Sequence, residues 1–464
     1  LRKLGEAYEK NNEFQKAANT YYQEANIHKK RGDTQTYLAV KAKADALNSE
    51  INIYIDAKTK APSSALAKYE PATGMYFGAY VEQDESLKKG GNKYTNFNNV
   101  TGKKHAIFYN YHKYGQDFPT EFAKAVKEAG GAIHLALEPG LGLNAVKDDA
   151  YLRKFARDAN ESGIPIFLRF ASEMNGPWVK WNGDPTLYKQ KFQLVSKIMK
   201  EDAKNVAMAW VPNSVPADKI DIYYPGDAWV DWVGVNLYSV PFFNGKSSEP
   251  AEQVNPLNLL DPIYETYAKR KPIMIGEFGA SHFTSVGNND KTKFGITKMN
   301  MFYHGLRMKY PRVKAVHWFN VNTLQAPYVA ADRRLNNFSL TEKPAVLQAY
   351  KNIVQNPYFQ SDVVNGPYAK KGEDVGNTAV SLQGLSVKQT VTGQGFIKTY
   401  DPYISKVVYK LNNKFLSEST QYPFSFKLEH QTLLKGENRL DVIVFDSKNR
   451  EAVRKTITFK KGSL

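Results

Sequence analysis

The chain opens with polar stretches in which apolar residues recur at helical intervals. Leu4, Tyr8, Phe14, Ala18, Tyr21, Tyr22 and Ala25 return at spacings of three, four and seven, the stripe of an amphipathic helix. Asn11-Asn12 and Gly32-Asp33 interrupt it, so the pattern predicts two helices and then a third from Thr34 to about Ala57. From Tyr69 to Pro357 the pattern changes. Eight near-continuous apolar runs begin at Met75, His105, Ala132, Ile164, Val206, Trp232, Pro272 and Lys314. Amphipathic stretches such as EFAKAVKEAG and YLRKFARDANESG lie between them. Continuous apolar runs suit strands buried on both faces, and eight strand–helix units predict an α/β fold, the (β/α)8 TIM barrel. A doubly wound open sheet is the alternative, but no glycine-rich nucleotide turn follows the first run. From about Val375 the residues alternate apolar and polar, as in SKVVYKLNNKFL and NRLDVIVFD. Short alternating strands broken by turn residues predict a C-terminal β-sandwich of immunoglobulin type. The expected domains are an N-terminal helical segment (1–60), a barrel (69–357) and the sandwich (375–464), with a linker over 356–377.

The stretch LGEAYEKNNEFQKAANTYYQEANIHKKRGD resembles one tetratricopeptide repeat. It has a small residue and Tyr on its first helix, Phe and Ala on its second, and a Gly-Asp turn. About three repeats are needed for a free-standing solenoid. The segment is therefore expected either as a hairpin packed on the next domain or as the end of a helical array. Its helices are a candidate surface for a protein partner.

Composition narrows the classes of function. There is no Cys among the 464 residues, which excludes thiol catalysis, disulfides and Cys-ligated zinc. The eight His residues are dispersed, without metal-ligand spacing, and no cofactor is called for. No apolar run approaches the roughly 18 residues of a membrane span. Lys plus Arg number 63 against 46 Asp plus Glu, a net charge of +17, which favours anionic surroundings such as acidic wall or matrix polymers. The basic residues are scattered, with no arginine-rich arm or recognition helix, so nucleic acid is not expected as a partner.

A barrel of this kind carries its active site at the C-terminal ends of its strands. Two of the eight runs end in carboxylates inside unusual contexts. The fourth ends Arg169-Phe170-Ala171-Ser172-Glu173-Met174-Asn175-Gly176-Pro177-Trp178, and the seventh ends Ile275-Gly276-Glu277-Phe278-Gly279. Two carboxyl groups flanking one ligand are what glycoside hydrolysis uses, one as acid and the other as nucleophile or base. Burial at a strand end raises an unpaired carboxyl pKa, which keeps an acid protonated near neutrality.

On these residues the central zone resembles glycoside hydrolase family 26, the family of β-mannanases and some β-glucanases. RFASEMNGPWVKW is similar to its acid/base segment and PIMIGEFG to its nucleophile segment. LALEPG and YYPGDAWVDWVGVNLY resemble its third- and sixth-strand segments. The resemblance implies a retaining hydrolase of a β-linked polysaccharide, endo-acting and secreted or held at a bacterial surface, with Glu173 as acid/base and Glu277 as nucleophile. A non-catalytic polysaccharide-binding or assembly protein is the alternative. The sequence departs from the family at Ser172, where a His is usual, and a shorter side chain there implies altered contact with the sugar.

Further residues are expected to line the cleft. Tyr238 ends the sixth run and is placed to hold the nucleophile, and Arg169 either orders the carboxylates or forms a buried ion pair. Trp318 is the candidate floor beneath the reacting sugar, since an aromatic face matches a pyranose C–H face. Trp178 and Trp181 are candidate platforms in the loop after Glu173. Glu138 and Asn213 end the third and fifth runs, and Tyr80, Glu82, Tyr109 and Tyr111 are expected at distal subsites. His317 is read as barrel interior.

Overall fold

The computed structural model describes residues 1–62, 65–365 and 369–463; residues 366–368 of the expected linker lie outside them. Eight parallel strands form the centre: Met75–Tyr80, Ile107–Lys113, Ala132–Glu138, Ile166–Phe170, Val206–Trp210, Trp232–Ser239, Ile273–Ala280 and Val313–Phe319. Each pairs with the next, and the eighth closes on the first through Ala315–Tyr76 to Phe319–Tyr80. The result is a (β/α)8 TIM barrel. Alternation explains its two layers. In the fourth strand Ile166, Leu168 and Phe170 face outward to the helices, while Phe167 and Arg169 face the interior. The lower interior is apolar, with Tyr76, Ile107, Phe167, Trp232 and Met274 in one cluster. The fifth connection departs from the expected unit: three single-turn 3-10 helices between Ala217 and Trp229 replace an α-helix.

The N-terminal helices span Arg2–Lys10, Phe14–Lys30 and Thr34–Leu47. They enclose a small core of Ala17, Tyr21, Ala25, Val40 and Ala44. The third helix was expected to reach Ala57. It ends ten residues earlier, at Leu47, and Asn48 is already extended with ψ at 133°. Glu50–Lys60 is a strand, in which Ile51, Ile53 and Ile55 alternate with polar residues. It pairs with Asp374–Ser381 on one side and Val391–Lys398 on the other. A period-two apolar pattern cannot stay on one face of a helix; here it supplies a central strand to the C-terminal β-sandwich. That sandwich therefore uses chain from both ends of the protein. Its second sheet contains Lys406–Leu411, Lys414–Ser419, Glu437–Phe445 and Glu451–Lys461, and one core joins the two sheets through Ile53, Ile397, Tyr409, Leu440 and Ile457. Arg307, on the helix after the seventh barrel strand, is 4% exposed and pairs with Asp56, tying barrel to sandwich. Among the described residues no helix is long and apolar enough to cross a membrane.

Candidate active site

Glu277 owes its direction to a glycine. Strict alternation from Met274, which faces inward, would send residue 277 outward among the helices. The pairing with the sixth strand slips at this point: Val235 faces Ile275, but Asn236 faces Glu277. Gly276 is the extra residue, a β-bulge that re-aims the next side chain into the barrel mouth. It must also be small, because a Cβ there would overlap Asn236 Oδ1 and come within 2.8 Å of Val211 Cγ1. Glu277 is 5% exposed. Its Oε1 accepts from Arg169 Nη2 at 2.7 Å and from the Tyr111 hydroxyl at 2.6 Å, and its Oε2 accepts from the Tyr238 hydroxyl. Burial pushes both phenols well above their usual pKa, and the Glu277 charge adds to the rise, so they stay protonated as donors. Arg169 is fully buried. Burial opposes its charge, but Glu277 more than offsets this and its pKa is raised.

Glu173 is set by a tight turn beyond the fourth strand. Ala171 and Glu173 both have positive φ, 46° and 57°, a conformation costing about 1–2 kcal/mol for each non-glycine residue. The backbone is fastened by Glu173 N–H to Val211 O at 2.9 Å. The carboxylate accepts from Asn213 Nδ2 at 3.0 Å and Asn236 Nδ2 at 2.8 Å on Oε1, and from Trp178 Nε1 at 2.7 Å on Oε2. Asn175, fully buried, binds the backbone N–H and O of Asn213 and so fixes the fifth loop to the fourth.

Asn236 links the two carboxylates. Its Oδ1 accepts from Arg169 Nη1 at 3.3 Å while its Nδ2 donates to Glu173. Sequence reasoning missed it; the available signal was an amide inside the apolar run WVGVNLY, two residues before Tyr238 and therefore on the same face. Glu138 adds a third carboxyl that interacts with both Glu277 and Glu173 and has no hydrogen-bond partner among the described residues. Burial pushes it up to about 7; Arg169 opposes the rise, and the two glutamates reinforce it. Beneath the site His134 and His317 lie fully buried with ring centroids 4.7 Å apart. Burial holds both pKa values low. His317 is barrel interior, as expected, and its Nδ1 donates to Ile275 O at 2.8 Å. Among the described residues no group of acidic or His side chains has the arrangement of a metal site.

Several expected lining residues are placed differently. Trp318 does not floor the cleft. His317 takes the inward position, so Trp318 points out, fully buried against Phe278, Tyr303 and Tyr350, and donates to Phe338 O. Phe319, one residue on and partly exposed, lies at the mouth, stacked on Tyr80 at 5.6 Å and edge-on to Tyr238. Trp181 is a clamp, 6% exposed, whose Nε1 donates to Ser172 O at 2.7 Å. Ser172 is itself 3% exposed, so it offers little surface to a sugar. Arg169 lies beneath Glu277 and is covered by it. Tyr109 is buried, and Glu82 is engaged by Tyr94 and Lys93. Trp178 remains 38% exposed, yet a Cβ on Gly176 would fall on its ring and the Arg333 guanidinium lies over the ring, 5.7 Å from its centroid. Little open face is left for stacking.

The profile of glycosyl hydrolase family 26 matches residues 143–258. That span holds Glu173, Asn213, Asn236 and Tyr238 and leaves out Glu138 and Glu277. Endoglucanase H of Acetivibrio thermocellus is 27% identical over 307 residues, 61% of this chain and 30% of that protein. A mannan endo-1,4-beta-mannosidase of Bacillus subtilis is 28% identical over 178 residues, 35% of this chain and 42% of that protein. The chain thus spans less than half of either relative. Among solved structures, the catalytic domain of an endo-beta-1,4-mannanase from Bacillus sp. JAMB-750 is similar at 17% identity and a TM-score of 0.45, covering 65% of this chain and 94% of that one.

Proposed function

We propose that this protein is a retaining, endo-acting β-glycoside hydrolase of extracellular polysaccharide, with Glu277 as nucleophile and Glu173 as acid/base. The observation that carries the reading is the continuous chain Glu277–Arg169–Asn236–Glu173, which holds two carboxylates from opposite sides of the barrel in one hydrogen-bonded network. In the first step Glu277 attacks the anomeric carbon. The glycosidic C–O bond breaks as Glu173 gives its proton to the leaving oxygen. In the second step Glu173 takes a proton from water, which attacks the same carbon and releases Glu277. Arg169, Tyr111 and Tyr238 hold Glu277 as an oriented anion. Their hydrogen bonds must weaken as its charge is lost to the ester, so they favour breakdown of the intermediate. Asn213, Asn236 and Trp178 fix the direction of Glu173 without supplying a charge. The likeness to the Acetivibrio endoglucanase and the Bacillus mannosidase supports a β-linked polysaccharide substrate. The test, after screening on mannan, glucan and xylan, is azide rescue on an aryl glycoside of the released sugar whose activated leaving group departs without a proton. Glu173→Ala should regain turnover with azide and yield a product of retained configuration, because azide replaces the base-activated water. Glu277→Ala should be inactive alone and yield an inverted azide adduct. Reversal of these two patterns would refute the assignment of roles.

A further inference from the structure

Arg333 stands out among the charged groups at the barrel mouth. It belongs to the loop after the eighth strand and is exposed. Its guanidinium reaches the ring of Trp178 on the loop after the fourth strand, so the loop runs over the barrel mouth. The course of that loop is fixed. Arg334 donates to Val329 O and Pro327 O within it, Ser285 N–H binds Leu335 O, and Asn336 and Asn337 pair with Thr284 and Phe283. One arginine therefore holds the loop together while its neighbour is presented over the indole. Among the described residues the Arg333 guanidinium has no ion-pair partner and no acceptor for its N–H groups. Trp178 acts as its pedestal: the ring rests against Gly176 on the chain side and carries the guanidinium.

The charge distribution of the mouth is uneven. Glu138 feels the charges of both Glu277 and Glu173, and the buried Arg169 beside them is already paired with Glu277. An anionic sugar in that region would meet carboxyl groups. On the Trp178 side it would meet an unpaired planar cation whose fork matches a carboxylate. Trp178 donates to Glu173, the proposed acid, so this side receives the sugar whose oxygen is protonated, the leaving-group side.

We propose that Arg333 is a specificity-determining residue that selects a carboxylate-bearing sugar, a uronate or a carboxyl-substituted hexose, on the leaving-group side of the cleaved bond. This rests on the hydrolase reading above. The net charge of +17 acts in the same direction by drawing polyanionic chains to the surface.

The test uses konjac glucomannan and mixed-linkage β-glucan, each neutral and after partial C6 oxidation to uronate, with the full chain. Affinity electrophoresis of Glu277→Gln, which does not turn over, reads binding alone; released reducing ends read hydrolysis by proteins with Glu277 intact. The expected result is retention by the oxidised form of at least one polymer about tenfold stronger than by its neutral parent, since hydrogen bonds to charged groups carry that order of affinity. At an ionic strength that screens the general surface charge, adding Arg333→Gln should abolish this preference. Arg333→Lys, which keeps charge but loses the fork, should keep part of it. Equal retention of oxidised and neutral polymers, or a preference that survives Arg333→Gln, overturns the proposal. Failure of the hydrolase reading shows separately, as no reducing ends from any polymer.

Discussion

Glu138→Gln should make the barrel more stable above neutrality and leave it nearly unchanged in acid. The Glu138 carboxyl is pushed from 4.5 up to about 7, mainly by burial. A carboxyl with a raised native pKa binds its proton more tightly when folded than when unfolded. Below about pH 4.5 both states are protonated and no penalty exists. Between 4.5 and about 7 the unfolded state ionises first, so stability falls as pH rises; above 7 the full loss is present. At 1.36 kcal/mol per pKa unit the shift corresponds to about 3 kcal/mol, reduced to about 2–3 kcal/mol because one edge of the residue meets solvent. Gln keeps the shape and cannot ionise, so the variant loses this pH dependence. All six Trp residues lie between 178 and 318, so tryptophan fluorescence during urea unfolding reports on the barrel and not on the sandwich. The stability difference between variant and wild type should grow by about 2–3 kcal/mol from pH 4.5 to pH 8. A difference that stays flat, or one that grows toward acid, would mean that Glu138 does not carry a raised pKa in the folded barrel.

Two further outcomes follow from the strand geometry. Trp318→Ala should cost about 3–5 kcal/mol of barrel stability while surviving folded protein keeps its KM, whereas Phe319→Ala should cost far less stability and raise KM; the opposite split in denaturation and kinetics would return Trp318 to the cleft. Gly276→Ala should destabilise the barrel by about 1–3 kcal/mol through overpacking and lower kcat by at least about tenfold, because it displaces the Asn236 bridge; a fully active Ala variant would mean that the close approach at 276 is not required.

Much of the architecture was legible because its signals were long. Eight continuous apolar runs gave all eight barrel strands, and the ends of the fourth and seventh runs marked the carboxylates. The strand at Glu50–Lys60 was missed because helical periodicity upstream was carried through a stretch whose alternation, Ile51, Ile53, Ile55, points to a strand. Its partners lie more than 300 residues away, and no local pattern records that pairing. At the site, errors of one residue had large effects. Trp318 and Phe319 are adjacent, and alternation assigns one to the helices and the other to the mouth. The bulge at Gly276 reverses the same rule for Glu277, and the run PIMIGEFG does not announce it beyond the glycine itself. Trp181 is a candidate platform by its place in the loop after Glu173, and Ser172 a candidate sugar contact by its place in the family-like segment; the indole N–H instead closes that loop onto the Ser172 carbonyl.

In the proposed reaction Glu277 forms the covalent bond to sugar. This step is tested most directly by incubating the protein with an activated 2-deoxy-2-fluoro glycoside of the sugar it releases from polysaccharide, followed by digestion and mass spectrometry of the peptides. The fluorine slows both steps and the activated leaving group restores the first, so the intermediate accumulates. One added glycosyl unit is expected, carried by the peptide containing Glu277 and absent from Glu277→Gln. A label on the peptide of Glu173 or Glu138, or full turnover with inverted product and no label, would contradict Glu277 as the nucleophile.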